Sequence, residues 1–207
     1  ANPQKSLEED TYSRVLFAKY LSEKWGGYEI IRRIWEIQAT RHRKSVNAID
    51  AALRERFGNE DIGSVFDGFT AWNFNPAQYY KEGAAWNESV SVTNKYSEYP
   101  VSETQGTLNH LAANYQLFKP GNTSKGKTLK ITVDGMDKYK WGFKIQKRRI
   151  SDGYCDMAGI SFKEGSNRAE IIIKDFAEKY SEICLIPANL EKENDGAVYS
   201  YSANFME

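Results

Sequence analysis

Leu129-Lys130-Ile131-Thr132-Val133 and Trp141-Gly142-Phe143-Lys144-Ile145 alternate apolar and polar side chains, and the turn signal Asp134-Gly135 lies between them. A period of two is typical of strands that bury one face. Further short strand-like segments, separated by turn residues, lie at positions 90–93, 111–118, 154–162, 169–173, 183–186 and 199–205. Strands at this spacing predict an antiparallel β-sandwich over residues 89–207.

The chain before residue 75 has a helical period instead. Ser6-Leu7-Glu8-Glu9 matches a capping box, and rows of apolar residues at i, i+4 spacing follow it until Gly26-Gly27. A second helix is expected to carry one apolar side formed by Ile30, Ile31, Ile34, Trp35 and Ile37. Its two-glycine connection to the first helix is short, so the two helices should be neighbours in space.

Two more helices are expected before the strands begin. The third bears Ile49, Leu53 and Phe57, and the fourth is opened by Asn59 or Asp61. These patterns predict an α+β (multi-domain) chain. Its parts would be a segment of about four helices at 1–75, a linker at 76–88 and the β-sandwich at 89–207.

Composition limits the classes of function. The formal net charge of the 207 residues is zero, whereas nucleic-acid binders usually carry a basic excess. We therefore interpret the basic run at 41–44 as a solvated loop and expect no nucleic-acid partner. No apolar run has the length of a membrane span. The sequence starts at Ala1 without a signal-peptide pattern, so we expect a processed or truncated product.

Common catalytic motifs are absent from the sequence. His42 and His110 lie in different halves, and the patterns His-Glu-x-x-His, Gly-x-Ser-x-Gly and the phosphate-binding glycine loops do not occur. We assign no catalytic residue and no metal ligand, and we interpret His110 as structural. Counting residues does not exclude a Ser-His-Asp arrangement, and an enzyme that uses scattered carboxylates remains an alternative.

Two residue sets leave alternatives open. Cys155 and Cys184 both lie in strand-like sequence, where either a cross-strand disulfide or two free buried thiols would fit. Carboxylates in the turn-rich segments of the β half can bind calcium, although solvated turns are the favoured interpretation. They are Asp134, Asp137, Asp152 and Asp156.

Aromatic residues make up 14% of the chain, which fits either packed cores or a sugar-binding surface. Core packing is the favoured interpretation. A free-standing carbohydrate- or calcium-binding sandwich is the alternative function. Its candidate ligand-binding platforms are Trp86, Tyr96, Tyr99, Tyr139 and Trp141.

Five segments of the chain carry a resemblance to a known family. They are the residues at 12–21 (Tyr-Ser-Arg-Val-Leu-Phe-Ala-Lys-Tyr-Leu), Trp25-Gly26-Gly27, and the residues at 30–36, 66–73 and 79–83. With these motifs the chain resembles the C-terminal portion of a family of bacterial secreted zinc metalloproteases. The resemblance covers most of the first 85 residues and is looser afterwards.

The resemblance implies a non-catalytic region of a larger enzyme. The zinc-binding His-Glu-x-x-His helix of such proteins precedes this region, so zinc is expected only in an upstream protease domain. The helices would brace that domain, and the sandwich would serve folding, attachment or docking of a protein or carbohydrate substrate. The implied location is extracellular or at the cell surface. We also expect the helical part to expose an apolar patch where the protease domain packs.

Overall fold

The computed structural model describes residues 4–9, 11–42, 45–86, 90–162 and 164–206, without the side chains of 11–14. Helices come first and are followed by two largely antiparallel sheets, so the α+β class is confirmed. The predictions for Arg43, Lys44 and the end of the linker at 87–88 lie outside the described residues. No helix within those described ranges combines the length and the apolar character that a bilayer span requires.

Among the described residues, four helices precede residue 75, as expected, and two single-turn helices follow them. Their bounds are α1 Thr11–Lys24, α2 Tyr28–Arg41, α3 Ser45–Phe57, α4 Ile62–Phe74, α5 Pro76–Tyr79 and α6 Phe176–Lys179. Asp61 caps α4 because its carboxylate accepts the Ser64 N–H at 2.8 Å while the Ser64 hydroxyl accepts the Asp61 N–H. The capping box predicted at Ser6 is wrong: α1 begins five residues later, and Ser6 lies in a buried turn.

The strands form two sheets. Their bounds are β1 Asn94–Tyr96, β2 Val101–Leu108, β3 Ala112–Ala113, β4 Gln116–Phe118, β5 Thr128–Gly135, β6 Trp141–Arg149, β7 Cys155–Gly159, β8 Arg168–Ile173, β9 Tyr180–Asn189 and β10 Ala197–Met206. The first sheet has the order β1-β4-β9-β6-β7, with β3 also paired to β9, and the second has the order β2-β10-β5-β8. All described pairs are antiparallel except β1 with β4.

The stretch at 129–145 supplies one strand to each sheet. β5 pairs with β8 and β10, and β6 pairs with β7 and β9, so the turn between them crosses from one sheet to the other. Their apolar faces therefore meet across the interior of the sandwich. The strand predicted at 90–93 is wrong, since β1 begins at Asn94. β2 was not predicted at all.

Two apolar cores divide the molecule into three layers. One core lies between the sheets and includes Phe118, Ile131 and Phe143. The other lies between the helices and the outer face of the first sheet, where Phe66 and Phe69 of α4 join Ile186 of β9. β9 is buried on both faces from Ile183 to Asn189 because it contributes to both cores.

Polar contacts also join α4 to the first sheet. The Lys144 ammonium pairs with the Asp67 carboxylate, and the Tyr115 hydroxyl donates to the Thr70 carbonyl at 2.7 Å. The segment after α4 contains α5 and a 3-10 turn at Gly83–Ala85, and it buries Tyr80. The proposed boundaries at 75 and 89 stay predictions, but the two parts share one core.

Both cysteines are free and buried. Cys155 lies on β7 and Cys184 on β9, and β6 runs between those strands. Two inter-strand spacings separate their backbones by about 9.5 Å, beyond the reach of a disulfide. Burial raises the pKa of both thiols, which lowers their reactivity toward oxidants.

Candidate functional site

A chain of polar side chains at one end of the sandwich joins three distant segments. The Ser6 Oγ lies 2.9 Å from His110 Nε2, and His110 Nδ1 lies 2.6 Å from Asp195 Oδ1. Ser6 precedes α1, His110 lies between β2 and β3, and Asp195 lies between β9 and β10. These residues are the candidate site, and they are called the Ser6–His110–Asp195 cluster below.

The backbone around the cluster fixes its geometry. The His110 N–H donates to Asp195 Oδ1 at 2.9 Å, and the Leu7 N–H donates to the Leu111 carbonyl at 3.0 Å. Leu111 has a φ of 46°, a left-handed conformation that a leucine adopts only when its surroundings hold it there. The Tyr139 hydroxyl supports the loop on the other side by donating to the Asp195 carbonyl at 3.1 Å.

The order of groups matches that of nucleophile, base and orienting acid in serine hydrolases. Hydrogen bonds from the His110 main chain and ring lower the pKa of Asp195, so the carboxylate is ionised at neutral pH. An ionised carboxylate can only accept, so Asp195 accepts from His110 Nδ1–H, and the Ser6 hydroxyl lies against the other ring nitrogen, Nε2. The Glu8 carboxylate lies 3.4 Å from the same Nε2.

Burial of Ser6 argues against catalysis. Its relative exposure is 0%, and its Oγ also accepts the Glu8 N–H at 3.2 Å. An open cleft of about 320 Å³ adjoins the cluster, lined by Glu8, Val46, Asn47, His110 and residues 192–195, but not by Ser6. A substrate carbonyl in that cleft has no approach to the hydroxyl. The hydrogen bonds of the cluster instead hold the segment before α1 against the loops of the sandwich.

We expect the cluster to be chemically inert toward acyl and phosphonyl groups. A fluorophosphonate probe should leave Ser6 unlabelled, and hydrolysis of p-nitrophenyl acetate should be the same for the native chain and Ser6→Ala, because the nucleophile needs solvent access. Mass spectrometry of the treated protein checks this. Stoichiometric labelling of Ser6 that disappears in His110→Ala would contradict the structural role.

Three of the four candidate calcium-binding carboxylates contact protein groups, and Asp134 and Asp156 lie in β5 and β7 instead of in turns. Asp152 and Asp156 both pair with Arg149, at 2.9 Å and 3.3 Å, and Asp137 accepts the Asn167 N–H at 3.1 Å. Asp134 lies opposite Arg168 in the β5–β8 register. Within the described ranges, no group of three or more His, Cys, Asp and Glu side chains is placed to hold a metal ion.

The five aromatic candidates do not form one surface. Trp86 packs on Tyr80 at a centroid distance of 4.8 Å, in the core beneath the helices. Tyr139 and Trp141 lie 6.5 Å apart, but Trp141 is buried and its Nε1–H donates to the Met136 carbonyl.

The remaining two candidates lie at the edge of the core between the two sheets. Tyr96 stacks on Phe118, and its hydroxyl lies 2.6 Å from that of Tyr201. Tyr99 packs on Phe205 and donates to the Lys119 carbonyl at 2.9 Å. Each of these rings therefore has a structural partner on at least one side.

A different pair of aromatic rings is exposed, and it lies on α2. Tyr28 is 73% exposed and Trp35 is 66% exposed, whereas Ile30 and Ile37 of the same helix are fully buried. The placement of Trp35 on the apolar side of α2 was wrong. At about 100° per residue, position 35 lies about 200° from position 37. Counting helical angles from Ile30 and Ile37 would have shown this.

No protein-family model matches the sequence. No curated protein matches it either.

Among solved structures, the pre-peptidase C-terminal domain of a collagenase from Bacillus anthracis is 15% identical with a TM-score of 0.40, covering 57% of this chain and 100% of that one. A mitogen derived from Yersinia pseudotuberculosis is 11% identical with a TM-score of 0.36, covering 53% and 89%. A carbohydrate-binding module specific for non-crystalline cellulose is 12% identical with a TM-score of 0.31, covering 52% and 74%. Identities and TM-scores this low assign no function.

Proposed function

We propose that the chain is a non-catalytic region of a secreted zinc metalloprotease and that the outer face of α2 docks the protease domain. The observation that carries the proposal is the exposed pair Tyr28 and Trp35. These rings stand seven residues apart, so they lie on one side of the helix. The sandwich on the other side of the chain would serve folding or attachment.

The face of α2 has the composition of a protein interface. Arg32 and Ala39 are exposed between and beyond the two rings, at the same helical spacing. Arg32 pairs with Glu29 at 2.7 Å and lies 3.6 Å from Glu36, so charged groups border the aromatic stripe. Aromatic anchors with a polar rim are typical of the centre of interfaces, where Trp and Tyr carry much of the binding free energy.

Val15 of α1 is a third large apolar side chain exposed in the helical part. It supports the expectation that the helices leave apolar surface for a neighbouring domain. The alternative function, a carbohydrate-binding module, receives no such support from its proposed platforms, since each of those five rings has a packing or hydrogen-bonding partner. The buried free thiols are compatible with the extracellular location that the resemblance implies.

The proposal is tested with the polypeptide encoded directly upstream of Ala1. We expect it to contain a protease domain and to bind this chain with a micromolar or tighter Kd in isothermal titration calorimetry. Trp35→Glu should weaken binding at least about tenfold, because it removes an aromatic anchor and buries a charge. Ile172→Glu is the matched control, since it changes an exposed apolar side chain on the far sheet.

Three outcomes would overturn the proposal. The upstream reading frame could lack a protease domain, the two polypeptides could fail to associate, or Trp35→Glu could bind as tightly as the native chain. An equal loss for Ile172→Glu would also count against α2, because it would place the contact elsewhere. Far-UV circular dichroism of both variants shows that they are folded.

A further inference from the structure

The strand β7 is an outer edge of the first sheet, and only one side of it is paired. The Arg149 N–H donates to the Tyr154 carbonyl at 2.9 Å, and the Ile160 N–H donates to the Phe143 carbonyl at 3.0 Å. Main-chain groups alternate along an antiparallel strand. Residues 154, 156, 158 and 160 therefore direct their N–H and C=O groups at β6, and residues 155, 157 and 159 direct theirs away from the sheet.

The structure shows one amide bound to this free edge. The side-chain amide of Gln78, on α5, donates to the Cys155 carbonyl at 2.9 Å and accepts the Cys155 N–H at 2.8 Å. These are the two hydrogen bonds that a residue of a neighbouring strand would make with Cys155. Gln78 therefore occupies the place of an eleventh strand at this position, and it confirms that the edge is open to a planar amide.

The next two outward positions have no such partner. Among the described residues, no main-chain or side-chain group hydrogen-bonds to the outward N–H and C=O groups of Met157 and Gly159. Nothing lies within 4 Å of a Cβ built on Gly159, so the face of the strand is uncovered at that residue. The edge thus offers two donors and two acceptors in strand geometry.

Gln78 and Tyr79 of α5 cover the edge at Cys155, but beyond Cys155 the surroundings of β7 do not protect it in the usual ways. Natural edge strands are blunted by lysine, proline, bulges or covering segments. β7 contains neither lysine nor proline, and its one charged residue, Asp156, pairs with Arg149 at 3.3 Å. Met157 is 42% exposed, and Ile150 and Tyr154 add exposed apolar surface on the same hairpin. An open cleft of about 410 Å³ adjoins the turn before β7 and is lined by Asn75, Ala77, Gln78, Arg148 and residues 152–154.

The second sheet provides a contrast. Its edge strand β8 carries Arg168 and Glu170, and Glu170 pairs with Lys130 of β5 at 2.9 Å. Charged side chains therefore stand along the first half of that edge, whereas Ile172 in its second half is 44% exposed. The combination of a bound amide, unpaired main-chain groups and exposed apolar side chains is found at β7.

We infer that β7 is a docking site for an extended polypeptide segment of a partner protein, which adds as a further strand beside Met157 and Gly159. Recognition is through main-chain hydrogen bonds, and the exposed apolar side chains favour a segment with apolar or small residues. Displacement of Gln78 would lengthen the pairing to Cys155. This site is separate from the α2 face, so either proposal can fail without the other.

The test uses a synthetic peptide with the sequence of β6, Trp-Gly-Phe-Lys-Ile-Gln-Lys-Arg-Arg, because that strand already pairs with the inner side of β7. We expect binding to the full chain with a Kd of about 1 mM or tighter. The amides of Met157 and Gly159 should exchange with solvent at least about tenfold more slowly when the peptide is present. A peptide of the same sequence with N-methylated central amides has the same charge and should not bind.

Two variants of the protein separate main-chain from side-chain recognition. Met157→Pro removes an outward N–H without touching a bond to β6, and edge strands tolerate proline at such positions. It should weaken peptide binding at least about tenfold, whereas Met157→Ala, which keeps the N–H, should change it far less. Trp35→Glu should leave peptide binding unchanged.

Any one of four other outcomes would overturn the inference. These outcomes are no binding by 1 mM peptide, equal binding of the N-methylated peptide, equal binding to Met157→Pro, or slowed exchange only at amides outside β7. The circular dichroism spectrum of Met157→Pro must match that of the native chain. If it does not, the N-methylated peptide and the exchange pattern of the native chain decide the question.

Discussion

Replacing Tyr115 with alanine should lower the free energy of unfolding by about 3–5 kcal/mol. The side chain is fully buried between α4 and the first sheet. Its ring stacks on Phe74 at a centroid distance of 6.2 Å, and its hydroxyl donates to the Thr70 carbonyl at 2.7 Å. The substitution removes a large aromatic volume and one buried hydrogen bond, and both effects are destabilising.

Tyr115→Phe separates the two effects. It keeps the ring and removes only the hydroxyl, so we expect a loss of about 1–2 kcal/mol. Urea unfolding followed by circular dichroism at 222 nm gives both values, since the helices dominate that signal. A loss for Tyr115→Ala no larger than that for Tyr115→Phe would contradict the packing role of the ring.

The same experiment asks whether the helices and the sandwich unfold together. Hydrogen exchange of the amides in β5 reports on the second sheet. Tyr115 joins α4 to the first sheet, so β5 is not part of that contact. Because the first sheet is shared between the two cores, the midpoints of both probes should fall together in Tyr115→Ala. Helices that unfold at lower urea while β5 stays protected would show two independent units instead.

The sequence predicted helices before strands and the positions of most elements, but it did not predict β2 or how the strands pair. Periodicity located α2, α3 and α4 and most strands, because each buries one face against a core. It located the segments 129–133 and 141–145 with a turn signal between them, but it did not show that β5 and β6 belong to different sheets. Alternation records which face is buried and carries no information about the neighbouring strand.

Local signals failed where distant segments decide the structure. β2 has exposed polar residues along most of its length and, within the described part of the chain, pairs with β10 alone, so its sequence lacks an apolar stripe. Ser6 has the sequence context of a helix cap, but its partner is His110, 104 residues away. The sequence did contain a signal that the helices cover the outer face of the first sheet. Ile183-Cys184-Leu185-Ile186 is continuously apolar, which is typical of a strand buried on both faces.

The candidate site was accessible to sequence reasoning only in part. His110 was interpreted as structural, and its contacts with Ser6 and Asp195 agree with that role. The cluster itself could not be predicted, because its three residues lie on three connecting segments without regular spacing. The edge at β7 was equally hidden, since Gln78 and Cys155 come from opposite sides of the proposed linker.

Replacing Lys144 with methionine should be the second large effect, with a loss of about 2–4 kcal/mol in the free energy of unfolding. Lys144 of β6 pairs with Asp67 of α4, and both side chains are mostly buried. Asp67 Oδ1 has no hydrogen-bond partner among the described residues, so the ammonium at Oδ2 is the main compensation for the buried charge. Methionine retains the length of the side chain and removes that compensation.

The double variant Lys144→Met with Asp67→Asn distinguishes loss of the ion pair from loss of packing. Asparagine has almost the same shape as aspartate and carries no charge, so the double variant should recover at least about half of the loss. Urea unfolding of the native chain, both single variants and the double variant closes the cycle. Additive losses would show that the pair contributes little to the contact between α4 and the first sheet. A positive coupling of about 1 kcal/mol or more would show that the helices are held on the sandwich by a buried charge pair as well as by the apolar core.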